Sequence, residues 1–375
     1  MIQPKYKTLE ESNIYDIIIE DTIKKYELKE WCSSMGTTKW EIPQYSKNQI
    51  NKAGKTIADP KTNNEEKKNA LIILNNWRAS HAYPLQVITS NLRHKNPNAI
   101  VVQRLKRLDS ITGKLERFPE MSLYRMQDLG GCRVILPEIW DVYDSVNAYK
   151  NSRIRHVLKR EDDYIENPKA SGYRSYHMVY KFHSDTKETY NKNMLIEIQF
   201  RTRLQHIWAT ALETMGVYTK TALKASIGNK DILRFFTLVS SVFALMENTS
   251  TCPGTPDNYN ELRSEIIEIN NKLNIISRLS ALSVAIKHTN EKYDKGMGYY
   301  LLRLDFERKM LNVRAFSTNQ INIATEIYNK IESVNNPKID SVLVSASSFD
   351  TLKAAYPNYF TDITDFIDIM RNFLY

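Results

Sequence analysis

The segment Met194-Leu195-Ile196-Glu197-Ile198-Gln199-Phe200-Arg201 limits what this chain can fold into more than any other stretch. Residues two apart on a strand share a face. Ile196, Ile198 and Phe200 then point together into a core, and Glu197, Gln199 and Arg201 line up on the opposite side. A carboxylate, an amide and a guanidinium in one row are costly to bury against apolar side chains. They suit the floor of a site for a charged, polar ligand. Just before this segment, 178–182 reads as a neighbouring apolar strand and 168–177 as a polar stretch leading into it.

Strands and helices alternate around that row. Strands are expected at 99–102, 132–136 and 153–158, and helices at 109–118 (capped by Asp109 or Ser110), 137–149 and 203–216. This order over residues 98 to 216 implies a mixed α/β sheet covered by helices. Ahead of it, residues 1–95 read as mainly helical, with helices at 10–29, 46–58, 64–80 and 82–93, packing on the sheet domain at 96–250. Within 251–297 a Pro- and Gly-containing linker precedes one long helix from Tyr259 to about Tyr293. Residues 298–375 read as a small, separate ββαβα domain, with a hairpin at 299–304 and 310–316.

Composition narrows the setting. A chain of 375 residues holds two or three domains. No apolar run is long enough to span a bilayer, and the N-terminal residues lack an apolar signal segment. Cys32, Cys132 and Cys252 are odd in number and far apart. That argues for reduced thiols in a cytoplasmic protein and against a disulfide frame or a zinc site. The net charge of +9 favours anionic partners as well as solubility.

Four polar constellations carry candidate chemistry. In the first, Arg104 and Lys106 share a strand face, with Ser110 and Lys114 at helical spacing beyond, which suits a polyphosphate. Alone it also reads as a basic solvated helix face. In the second, Asp128 leads through Gly130-Gly131 to Arg133. With Glu197 it offers the two hard oxygens that Mg²⁺ prefers beside nucleotide phosphates, although Asp128 is equally a turn former. The third is Tyr164-Ile165 with 168–177: Lys169 and Arg174 are cations, and Tyr173, after Gly172, could present its ring to a flat base. The fourth is the row Glu197, Gln199, Arg201 with His206 and Trp208 downstream. No Gly-x-x-x-x-Gly-Lys-Ser/Thr loop is present.

In order, the motifs are Arg104-x-Lys106-x-x-x-Ser110-x-x-x-Lys114, Asp128-x-x-Gly131-x-Arg133, Tyr164-Ile165-x-x-Pro168-Lys169-x-x-Gly172-Tyr173-x-Ser175-x-His177, Glu197-x-Gln199-x-Arg201-Thr202 and His206-x-Trp208-Ala209. This series resembles the synthetase domain of the RelA/SpoT family, the alarmone synthetases, over residues 98 to 216. The resemblance implies a nucleotidyltransferase-like mixed sheet flanked by helices. It also implies transfer of the β,γ-pyrophosphate of ATP to the 3′-hydroxyl of a guanosine nucleotide. On this resemblance Arg104, Lys106, Ser110, Lys114 and Arg133 hold ATP phosphates. Asp128 and Glu197 bind Mg²⁺, and Glu197 helps deprotonate the attacking hydroxyl. Tyr173 stacks on the acceptor base, Lys169, Gln199 and Arg201 orient the acceptor, and His177 lies beside it.

Long members of the family carry a hydrolase domain that depends on a His-Asp pair, and no such dipeptide occurs here. The resemblance therefore implies a synthesis-only protein. Small members of that kind include toxins that modify the 3′ CCA end of tRNA, and others that use adenosine nucleotides. A catalytically inactive nucleotide sensor is the reading from another class. The basic run Lys150, Arg153, Arg155, Lys159, Arg160 would suit tRNA. From Asn336 onward, five aspartates against two lysines and one arginine give a net charge of −2, on an aromatic-rich end that includes Tyr356 and Phe366. Such an end could dock on a basic nucleotide site or capture a regulatory protein, as fused domains do in members acting in stress or phage defence. A stabilising or oligomerising role is the alternative.

Overall fold

The segment containing Glu197 lies inside a nine-stranded mixed sheet. The computed structural model describes residues 18–23 and 40–374, apart from 220, 222, 224–225, 284–286, 289–296, 306–307, 309, 335, 337–338 and 357–362. Of the helix expected over 10–29, the described part, 18–23, is helical, and Cys32 falls outside the described residues.

Three helices lead in: α1 (Lys47–Ala58), α2 (Asn64–Ser80) and α3 (Ala82–Lys95). The Ser46 hydroxyl and the Gln49 amide cap α1 reciprocally, and Asn63 caps α2 by accepting from the Glu66 amide. The sheet domain follows with β1 (Ile100–Leu105), α4 (Leu108–Arg117), β2 (Gly130–Leu136), α5 (Ile139–Lys150), β3 (Val157–Asp163), β4 (Tyr176–Lys181), β5 (Leu195–Thr202) and α6 (Arg203–Thr219). Next come α7 (Lys230–Met246), α8 (Tyr259–Leu273) and α9 (Ile275–Ser283). The chain closes with β6 (Lys287–His288), β7 (Met297–Asp305), β8 (Met310–Ser317), α10 (Ile321–Ser333), β9 (Ile339–Ser345), α11 (Phe349–Ala355) and α12 (Thr364–Leu374).

Across the sheet the order is β3-β4-β5-β2-β1-β9-β7-β8-β6. β2 and β5 are parallel, with Gly131 beside Glu197 and Arg133 beside Gln199. β4 runs antiparallel to β5 and sets His177 beside Gln199. One face of these strands packs Val134, Ile196, Ile198 and Phe200 with Leu74, Trp77 and Ile88 of the leading helices. On the other face Val102 and Ile135 pack with Val342, Val344, Leu352, Ala355 and Tyr356. A separate apolar core joins α6, α7, α8, α9 and α12 through Trp208, Phe236, Ile266, Leu279 and Phe366.

The alternation around Glu197 is as the sequence suggests, and four local readings change. The third strand is 157–163, not 153–158. It lies at the sheet edge, where Lys159 and Arg160 stay exposed, so the apolar alternation that marks inner strands is missing. α4 takes no cap from Asp109 or Ser110. Arg107 occupies the cap position, and the Leu108 amide donates to Glu332 Oε1 of α10 at 3.1 Å. The long helix breaks at Asn274, in a left-handed turn with φ of 52°, between α8 and α9. The C-terminal strands join the sheet of the first half, because β9 pairs with β1 at Gln103↔Ser345 and Arg104↔Val344. Contacts across more than two hundred residues do this, and no local pattern carries them.

Candidate active site

The polar row of β5 opens onto a cavity of about 120 Å³, lined among others by Arg104, Lys106, Asp128, Arg133, Glu197 and Tyr356. Pairing register explains the grouping. Arg104 lies opposite Gly131 on β2, and Gly131 lies opposite Glu197, so a residue without a side chain separates a cation from a carboxylate. Gly131 has no neighbour closer than 4.0 Å to a notional Cβ, so its value here is open space above the strand.

Asp128 is gripped by two of the five expected phosphate binders. Lys106 Nζ lies 2.8 Å from Oδ2, and Lys114 Nζ lies 3.1 Å from Oδ1. Burial works against the carboxylate charge, but Lys106 and then Lys114 overrule it and hold the Asp128 pKa below its ordinary value. Ser110 stands on α4 one turn before Lys114 and is half-buried. It is not among the cavity-lining residues.

Five side chains form a closed hydrogen-bonded ring on the β4–β5 side. Tyr173 Oη and His177 Nε2 are 2.6 Å apart, and His177 Nδ1 lies 3.1 Å from Glu197 Oε1. Gln199 Nε2 donates to Glu197 Oε2 at 2.7 Å. Arg201 Nη2 donates to Gln199 Oε1 at 3.0 Å and to Tyr173 Oη at 2.8 Å. Burial opposes the charge on Glu197, but the His177 bond and charge, with the Gln199 bond, lower its pKa. Burial also raises Tyr173, yet Arg201 and then His177 bring its phenol down to about 7. His177 moves the other way: burial lowers it, while Tyr173 and Glu197 raise it to about 9.

The guanidinium groups are short of acceptors. Among the described residues, Arg133 Nε and Arg201 Nε and Nη1 are buried without a hydrogen-bond partner. Burial, with Arg201 and Arg104 nearby, lowers the Arg133 pKa to about 9. Lys169 Nζ lies 4.0 Å from the Tyr164 ring centre and 5.4 Å from that of Tyr173. The two rings meet edge-on at 6.1 Å. Lys169 is not a cavity-lining residue; it belongs to this aromatic side of the site. His206 sits apart from the ring, its Nε2 donating to the Ala354 carbonyl at 3.0 Å.

Gly172 sets the position of Tyr173. Its φ is +86°, and a Cβ there would lie 2.9 Å from Trp208 and 3.1 Å from the Thr237 backbone. Gly172→Ala is expected to cost about 1–3 kcal/mol from backbone strain alone, with the clash added, and to lower the urea midpoint measurably. A midpoint equal to the parent's would show that this turn relaxes freely.

The sequence reading underrated Tyr356. Its ring lies 5.9 Å from Arg133 Cζ, and the Ala355 carbonyl accepts from Arg133 Nη1 at 3.2 Å. Only the aromatic richness of the C-terminal end hinted at it. Glu332 was not singled out at all.

Two carboxylates in one cavity fit a divalent cation that completes its shell with phosphate oxygens. Among the described residues no group of three or more His, Cys, Asp or Glu could hold a metal alone. Cys132 and Cys252 are free, buried thiols, and burial pushes Cys132 up to about 12. No described helix is long and apolar enough to cross a membrane.

Comparison with known proteins places the chain. Residues 103–222 match the region found in RelA / SpoT proteins. The chain is 34% identical over 117 residues to the GTP pyrophosphokinase YjbM of Bacillus subtilis (strain 168), covering 31% of this chain and 54% of that protein. It is 32% identical over 162 residues to the GTP pyrophosphokinase YwaC of the same strain, covering 40% of this chain and 75% of that protein. The chain belongs to the RelA/SpoT family. It spans about half of the length of YjbM, at 54%. The solved small alarmone synthetase 1 from Bacillus subtilis, bound to its product pppGpp, overlaps 51% of this chain and 94% of that one at 21% identity and a TM-score of 0.37. A likeness of that size carries no functional weight.

Proposed function

We propose that this chain is an ATP-dependent pyrophosphokinase acting on the 3′-hydroxyl of a guanosine nucleotide, held in check by its own C-terminal segment. The observation that carries the reading is the set of buried, unpartnered guanidinium nitrogens of Arg133 and Arg201 on the face that presents Glu197. Such groups call for anions. The names of the curated relatives, GTP pyrophosphokinase, support the choice of reaction.

In the proposed reaction the acceptor oxygen attacks the β-phosphorus of ATP, the bond from that phosphorus to the α-phosphate oxygen breaks, and AMP leaves. The proton of the hydroxyl passes to the Glu197 carboxylate. Arg104, Lys106, Ser110, Lys114 and Arg133 bind the ATP phosphates. Asp128, which pairs with Lys106 and Lys114, and Glu197 would hold Mg²⁺, which would supply charge neutralisation. Tyr173, Lys169, Gln199 and Arg201 orient the acceptor. Most of the catalysis would be positioning and charge stabilisation.

The C-terminal restraint rests on size. A cavity of about 120 Å³ is well below the ~300–1,000 Å³ of small-ligand sites, and Tyr356, at the end of α11, lines it beside Arg133. We propose that a second protein, in a stress or phage response, draws this segment off. A tRNA acceptor is less favoured, because the basic run is largely paired: Lys150 with Glu161 at 2.6 Å, Arg155 with Asp185 at 3.3 Å and Arg160 with Asp162 at 2.6 Å.

The test is a magnesium-dependent assay of ATP conversion to AMP, with GDP, GTP, ATP or tRNA as acceptor, on the parent and on Tyr356→Ala. Labelled pyrophosphate is expected in the guanosine nucleotide. Label in tRNA alone would transfer the function to the tRNA-modifying reading. No AMP with any acceptor, even from Tyr356→Ala, would leave a nucleotide-sensing protein.

A further inference from the structure

We infer that His177 is a positioning residue with two separable tasks: its Nδ1 aims the Glu197 carboxylate, and its Nε2 sets the Tyr173 platform for the acceptor. The inference deepens the proposed function and rests on Tyr173 being the acceptor side of the site.

The hydrogen bonds of the five-residue ring fit together consistently. Arg201 Nη2 carries two hydrogens and donates one to Gln199 Oε1 and one to Tyr173 Oη. Tyr173 Oη and His177 Nε2 share one hydrogen. The imidazole carries a hydrogen on Nδ1 and donates it to Glu197 Oε1, since the carboxylate can only accept. Gln199 donates from Nε2 to Glu197 Oε2. Two branches of hydrogen bonds thus leave Arg201, one through Gln199 and one through Tyr173 and His177, and both end on the Glu197 carboxylate.

Two consequences follow from this connectivity. Both oxygens of Glu197 are held from the protein side, one by His177 and one by Gln199, which fixes the plane of the carboxylate while leaving further lone pairs for other partners. Gln199 has both amide ends engaged within the ring and acts as a spacer between Glu197 and Arg201. His177 is the one member that touches both the carboxylate and the phenol. It reaches them through different atoms, so the two tasks can be cut apart.

Asparagine and glutamine make the cut. In His177→Asn the side-chain amide nitrogen can stand near the place of Nδ1, keeping the donor to Glu197 and losing the contact with Tyr173. In His177→Gln the amide reaches the place of Nε2, keeping Tyr173 and releasing Glu197. Both are made in the Tyr356→Ala chain, which lacks the ring of the proposed restraint. Four quantities are measured: kcat, the KM for GDP, GDP affinity by calorimetry, and Mn²⁺ affinity by paramagnetic resonance.

His177→Asn is expected to raise the KM and dissociation constant for GDP about tenfold, with kcat and Mn²⁺ affinity within about twofold of the parent. His177→Gln is expected to leave GDP affinity in place and to lower kcat and Mn²⁺ affinity about 10–100-fold, the usual loss when a carboxylate ligand loses its supporting partner. Equal loss of all four quantities in both variants, or no loss in either, overturns the inference. An inactive parent that still shows the split in GDP and Mn²⁺ binding would sink the proposed activity and leave this inference standing. An active parent whose variants fail to split would do the reverse.

Discussion

Glu197→Gln is expected to lower the rate of pyrophosphate transfer by about a thousandfold or more, equivalent to about 4 kcal/mol of transition-state stabilisation. The substitution keeps the shape of the side chain and the bond to Gln199 can be remade by rotation of the amide. It removes the charge that faces the cavity and the base that accepts the hydroxyl proton. In the folded chain, that charge is one the surroundings favour: His177 and Gln199 hold Glu197 ionised in spite of burial. Removing it also turns the cavity more positive, since Arg104, Lys106 and Arg133 line the same space. ATP affinity should therefore stand or improve while turnover falls. Single-turnover conversion of ATP to AMP at saturating magnesium, beside equilibrium ATP binding, measures both. Turnover within a factor of ten of the parent would remove Glu197 from the reaction centre.

Much of the site was legible in the sequence because strand periodicity is a local property. Glu197, Gln199 and Arg201 share a face for the same reason that Ile196, Ile198 and Phe200 share the other. The grouping of Asp128 with Lys106 and Lys114 follows from a glycine pair that brings the chain into β2 beside β1. The ring through His177 was half visible: the five residues were singled out, but their mutual bonds depend on the β4–β5 register, which puts His177 beside Gln199. The role left open for His177 reflects that gap.

What stayed hidden depends on long-range pairing. Glu332 meets the Leu108 amide across more than two hundred residues, and its partner Arg78 is buried in the leading helices. No spacing rule reaches that far. The third strand was misplaced because an edge strand can be polar on both faces, as Lys159, Arg160 and Asp162 are here. Tyr356 was read as one of several terminal aromatics, since only β9 pairing with β1 brings α11 over Arg133.

Tyr356→Ala is expected to raise basal conversion of ATP to AMP by tenfold or more in the full-length chain. The proposed restraint is steric. Tyr356 is buried over Arg133, and α11 is held by two backbone carbonyls, Ala355 accepting from Arg133 and Ala354 accepting from His206. An adenine nucleotide cannot share a space of about 120 Å³ with that ring. If the open form is a fraction f of molecules, the apparent dissociation constant for ATP is the intrinsic one divided by f. Deleting the ring removes the contact that favours the closed form and leaves the Arg133 charge free to meet phosphate. A second cavity of about 630 Å³, lined by Ile100, Ile135, Lys353 and Phe366 among others, lies beside α11 and α12. Leu352, Ala355 and Tyr356 pack with Val102 and Ile135, so opening costs those contacts, and removing the Tyr356 ring lowers that cost. A point substitution is the right probe, because truncating the C-terminal segment would also strip β9 from β1 and expose Val102 and Ile135. Tyr356→Phe retains the ring and should stay near the parent. An alanine variant with parental ATP affinity and parental rate would mean that α11 covers the site without restraining it.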